Sequence, residues 1–99
     1  MNFEVAPKET EIKSNWYDAN LYCMFLEVDG KNDWRLPTIE ELHEIYQSKN
    51  NFTTDYYYWS STDDDSDGAW VQRYNSINYE CFDDKDYIGF YVRAVRSLS

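Results

Sequence analysis

Three observations predict an α+β fold. Two apolar stripes of helical period lie between residues 15 and 50. From Tyr56 onward the pattern becomes that of strands, rich in aromatic and hydroxyl residues. A short alternating stretch, Phe3–Val5, precedes both, so the order is strand, two helices, then several strands.

Phe3 and Val5 alternate with polar neighbours ahead of Pro7, as a short edge strand does. Asn15 suits an N-cap, and Asp18 suits the positive end of the helix that follows. Trp16, Ala19, Cys23 and Leu26 then fall on one apolar helix face, and Asp29-Gly30 with Lys31-Asn32-Asp33 marks a turn. Thr38 and Glu41 have capping-box spacing, with Pro37 just before the cap. Ile39, Leu42, Ile45 and Tyr46 form the second stripe, which ends near Lys49-Asn50-Asn51. Tyr56–Thr62 reads as a strand. Ala69–Tyr74 and Ile77–Phe82 flank Asn75-Ser76 as a hairpin, and Asp83–Asp86 is a second turn. Tyr87–Val95 reads as one closing strand, with Gly89 a bulge or a close backbone approach.

Ninety-nine residues are the length of one domain, spanning residues 1–99. Aromatics make up 19% of the chain and ten of them are Tyr. Each aromatic ring buries ~150–250 Å², so these residues can support a core in which aliphatics are scarce. The formal net charge is −10. From Asp55 to Asp86, nine acids face two bases, Arg73 and Lys85. Such a field repels phosphate backbones and anionic membrane surfaces, and favours cations or a basic protein surface. No apolar run approaches the ~20 residues that span a bilayer. The N-terminus lacks the basic and apolar regions of a signal peptide. A soluble protein is expected.

Three phrases stand in fixed order: DWRLPTIEEL at 33–42, YWSST at 58–62 and YVRAVR at 91–96. With Trp16-x-x-Ala19-x-x-x-Cys23 ahead of them, they resemble the Lcl C-terminal domain family, the C-terminal type of collagen-like bacterial adhesins, also found in bacterial and phage proteins. The resemblance covers roughly Asn15 to Arg96. It implies a compact C-type-lectin-like fold, similar to the formylglycine-generating enzymes, with two helices on a small, mainly antiparallel sheet. It also implies that the first and last strands pair, here Phe3–Val5 with Phe90–Val95. Most motif residues would then be structural. Trp34, Leu36 and Trp59 would be core, Arg35 would fix a carboxylate or carbonyls, and Arg93 would be structural. Ser60, Ser61 and Thr62 would tie the strand exit to loop backbone. C-type-lectin-like domains often join a helix cysteine to one in the last strand, but Ala94 stands there. A Cys23–Cys81 bond and two free thiols remain as alternatives. Free thiols are the expectation, and with them a reducing compartment.

Asp63, Asp65, Asp67 and Gly68 match the start of an EF-hand loop, but Tyr74 stands where the bidentate Glu belongs. Two readings stay open: a solvated acidic turn, and another hard-cation site for Ca²⁺ using Asp63, Asp65 and Asp67. No cofactor is required by the sequence. If the turn at Asp83–Asp86 meets this loop, the two form one acidic edge. His43 has no second histidine with which to build a zinc site, and neither the serines nor the cysteines have a His-plus-acid partner set. The expected function is therefore non-catalytic. One reading is a structural module docking on a larger assembly, such as a decoration or fibre-associated protein on a phage virion, or as a homo-oligomer. The other is an adhesin domain for a glycan or host-surface polymer. Tyr56, Tyr57, Trp70, Tyr74 and Tyr79 are the candidate contact residues, supplying rigid amphipathic faces.

Overall fold

The computed structural model describes residues 2–48, 56–63, 67–74 and 79–98; for Tyr46, Ser48, Tyr74, Tyr79, Glu80 and Cys81 the description is of the backbone. The order is β1 (Phe3–Val5), a 3-10 turn (Lys8–Thr10), β2 (Ile12–Ser14), α1 (Trp16–Phe25), α2 (Ile39–Ser48), β3 (Tyr56–Asp63), β4 (Gly68–Tyr74), β5 (Tyr79–Asp84), β6 (Phe90–Val92) and β7 (Val95–Ser97). Five strands form one sheet in the order β2-β6-β3-β4-β5, and β1 pairs with β7 in a second. All pairings are antiparallel except β3 with β6. The α+β class and the pairing of the first and last strands are as expected. The hairpin tip at Asn75-Ser76 lies outside the described residues, although β4 and β5 do pair in antiparallel register from Gly68↔Asp84 to Arg73↔Tyr79.

Both helix caps form as read. The Asn15 side chain accepts from the Asp18 N–H at 2.8 Å. The Glu41 N–H donates to Thr38 Oγ1, and the Thr38 N–H donates back to Glu41 Oε1 at 2.8 Å, a reciprocal capping box. Asp29 and Gly30 both take positive φ and close a two-residue turn between Val28 and Lys31. Such a turn suits Asp-Gly, because glycine bears no Cβ penalty there.

The five-stranded sheet has a core on each face, because strand residues alternate. Trp59, Val71, Phe90 and Val92 face the α1 side, where Ala19, Cys23, Trp34 and Leu36 complete one cluster. Tyr58 points the other way and joins Leu42 and Ile45 of α2, Phe3 and Val95. The core roles read for Trp34, Leu36 and Trp59 hold. Cys23 is a free, buried thiol. Burial pushes it up to about 12.

Two expectations need correction. Two strands rather than one precede the helices, because Ile12–Ser14 is a strand, β2, pairing with β6. The closing strand is two strands rather than one, and β1 pairs with Val95–Ser97. The chain changes sheets at Arg93-Ala94. There the Ala6 N–H donates to the Ala94 carbonyl, and Arg93 Nε donates to the Ala6 carbonyl at 2.6 Å. Val95 then exchanges backbone bonds with Arg35 in both directions. Gly89 is a close approach: a Cβ there would run into the Tyr87 side chain, 2.5 Å from its hydroxyl.

Candidate docking surface

α1 is apolar on two sides. Its inner side, with Ala19 and Cys23 buried and Trp16, Tyr22 and Leu26 packed against them, faces the core. Its outer side carries Tyr17, Leu21, Met24 and Phe25, exposed by 48%, 51%, 62% and 76%. These four fall at i, i+4, i+7 and i+8, which places them on one stripe of about 100°. A solvated helix face normally carries charge, but the one charged residue within α1 is Asp18. The sequence reading takes up the inner stripe alone. The second stripe, at the same period but half a turn away, was the signal that reading missed.

Each end of this face meets another feature. At the N-terminal end, the Trp16 N–H donates to the Lys85 carbonyl at 2.9 Å, which docks the loop carrying exposed Tyr87 and Ile88. Toward the C-terminal end, Met24 and Asn20 border a cleft of about 370 Å³, also lined by Asn32, Asp33, Trp34 and Arg35.

The two acidic turns do meet. Lys85 joins them: its N–H donates to the Asp67 carbonyl, and its Nζ donates to Asp63 Oδ2, both at 2.7 Å. The ammonium is buried and lies 4.3 Å from the Trp16 ring centroid, a cation–π contact. A cation of the chain's own therefore sits against the carboxylate proposed as a metal ligand. Asp65 lies outside the described residues. Among those described, no three His, Cys, Asp or Glu side chains converge.

The predicted contact aromatics do not form one face. Successive residues of β3 point oppositely, so Tyr56 and Tyr57 lie on different sides of the sheet. Tyr56 stacks on Tyr91 at 4.2 Å. Tyr57 packs against Phe90, beneath the Arg73 guanidinium, and lines a shallow cleft of about 260 Å³ with Asp83 and Tyr87. Trp70 meets Phe82 edge to face across β4 and β5. Tyr74 stands opposite Tyr56 in register, and Tyr79 opposite Arg73.

The patterned phrases bind one another. Asp33 accepts from Arg96, and Arg96 also reaches Glu4, which Lys31 holds as well. Arg35 grips Glu41 through both amino groups at 2.7 and 2.8 Å. Burial raises the Glu41 carboxyl, but Arg35 and the Thr38 N–H more than reverse this and hold it below its ordinary value. Ser60, Ser61 and Thr62 occupy a register shift in β3. There the Ser60 carbonyl accepts from the Trp16 indole, the Ser61 N–H donates to the Pro37 carbonyl, and Thr62 Oγ1 accepts from the Ile39 N–H. This single irregularity anchors the start of both helices.

Among known families, the model of the Lcl C-terminal domain matches residues 4–96. None of the curated proteins compared with the chain matches it. No helix among the described residues is long and apolar enough to cross a membrane.

Proposed function

We infer that this chain, which belongs to the Lcl C-terminal domain family, is a non-catalytic binding module that docks onto a larger assembly. The observation that carries this reading is the outer face of α1, where Tyr17, Leu21, Met24 and Phe25 form an exposed apolar stripe. Two further features support it. Asp33, Arg35, Thr38, Glu41, Ser60, Thr62, Arg93 and Arg96, from the three sequence phrases, are engaged in holding the fold. Cys23 is a protonated thiol at neutral pH, without nucleophilic character.

The fold reading that goes with this function is a C-type-lectin-like domain, supported by the paired first and last strands and by one helix on each face of the sheet. The assembly proposed is a virion, with the chain as a decoration or fibre-associated protein. A free, buried Cys23 suits a protein made in a reducing cytoplasm. An adhesin-type glycan site is the second reading. The cleft beside α1, with the amides of Asn20 and Asn32, favours it. A glycan array separates the two. Docking predicts no saturable glycan binding, and strong hits on one glycan class would overturn it.

Binding in this reading needs no cofactor. Titration calorimetry with Ca²⁺ is expected to give no heat at millimolar metal, because Lys85 already neutralises Asp63. A saturable binding heat that Asp65→Asn removes would establish a calcium site instead.

A further inference from the structure

We propose that the outer face of α1 receives a basic partner, an amphipathic protein segment whose apolar ridge is flanked by Lys or Arg. The proposal rests on reading that face as the docking surface, and adds what it docks with.

Charge around the face is one-sided. Between Lys13 and Lys31 the chain has no Lys or Arg, while Asp18, Glu27 and Asp29 are all exposed. The loop docked at the N-terminal end adds exposed Asp84 and Asp86. Its one base, Lys85, is buried against Asp63 and the Trp16 ring. The bases nearest the other end are matched by acids, Arg35 by Glu41 and Lys31 by Glu4. The last turn of α1 carries no basic residue. The negative end of its dipole is therefore unopposed within the helix, next to Phe25, the most exposed of the four side chains.

Area points the same way. Taking ~150–250 Å² for each large side chain, the exposed parts of the four sum to on the order of 500 Å², against the ~800 Å² per partner of a standard interface. Apolar contact alone falls short of a stable complex, so the acidic rim must contribute. A second copy of this chain would set that rim against itself at a net charge of −10 per molecule. A basic rim turns the same charges into attraction and speeds encounter.

The test uses three fluorescent amphipathic helical peptides that share a Leu face and differ in the polar face: Lys, Gln or Glu. Anisotropy titrations against the full chain are expected to show binding of the Leu/Lys peptide, weakened by added salt, and none of the Leu/Glu peptide. The Leu21→Gln, Phe25→Gln double variant should lose at least about tenfold in affinity for Leu/Lys, and Glu27→Gln should lower both affinity and salt dependence. Equal binding of Leu/Gln and Leu/Lys, both lost in the double variant, would keep the docking face and overturn the basic partner. Binding that the double variant leaves unchanged would overturn the docking face itself. A concentration-dependent dimer abolished by the double variant would place a second copy there, also against the proposal.

Discussion

Arg93 is 3% exposed; its Nε donates to the Ala6 carbonyl and its Nη1 to Glu11 Oε2 at 2.9 Å. The Tyr58 hydroxyl donates to the same Glu11 oxygen at 2.7 Å. Removing Arg93 leaves the largely buried Glu11 carboxylate facing the half-exposed Lys8 ammonium at 3.6 Å, a poorer match for its charge. Arg93→Met is therefore expected to destabilise the protein by about 3–5 kcal/mol, read from denaturant unfolding. Adding Glu11→Gln should recover part of the loss, because the poorly compensated carboxylate is gone. Much at this scale was legible. Thr38 and Glu41 announced their cap by spacing alone, and the fork of Arg35 called for a carboxylate or carbonyls. Lys85 was not legible, since its partners Asp63 and Trp16 lie 22 and 69 positions away in the sequence and nothing local marks the residue as buried.

Among the elements, the β3 irregularity explains why Ser60-Ser61-Thr62 follows two core aromatics. It turns three strand residues toward the starts of α1 and α2. The capping box completes the start of α2. Thr38→Ala should cost ~1 kcal/mol by thermal or chemical unfolding, with the Arg35–Glu41 pair left in place. The helices were read correctly because each has a cap and a stripe of several turns. β2 was missed because three residues, Ile12–Ser14, are too few to show a period. The closing strand was read as continuous because the aromatic and aliphatic pattern runs through Arg93-Ala94 unbroken. The break is imposed by tertiary bonds from Ala6 and Arg35. In α1 the buried and the exposed stripe share one period. A helix apolar on both sides is ambiguous until packing shows which side the core takes.

The whole molecule places its sheet between two helices and closes its ends by pairing β1 with β7. That closure is reinforced by acids and bases from distant segments: Glu4, Lys31, Asp33 and Arg96. Hydrogen bonds from Lys31 and Arg96 hold Glu4 below its ordinary value, and a hydrogen bond from Arg96 does the same for Asp33. With Glu41 also lowered, the sign follows: carboxylates depressed in the folded state stabilise it above their ordinary values, and that stability is lost as pH falls through the depressed ones. Stability should be flat from neutral pH to about 5 and decline below about 4, checked by thermal midpoints across that range. Arg96→Met should flatten the decline.

The central claim is a division of labour: the patterned phrases build the fold, while the outer face of α1 is surplus to it. Thermal unfolding of the Leu21→Gln, Phe25→Gln double variant tests this most directly, because Gln matches Leu in helix propensity. Surface changes outside the core stay within about 0.5 kcal/mol each, so the midpoint should lie within about 5 °C of the parent. A fall of more than about 10 °C would show that these side chains belong to the fold, and would contradict the account.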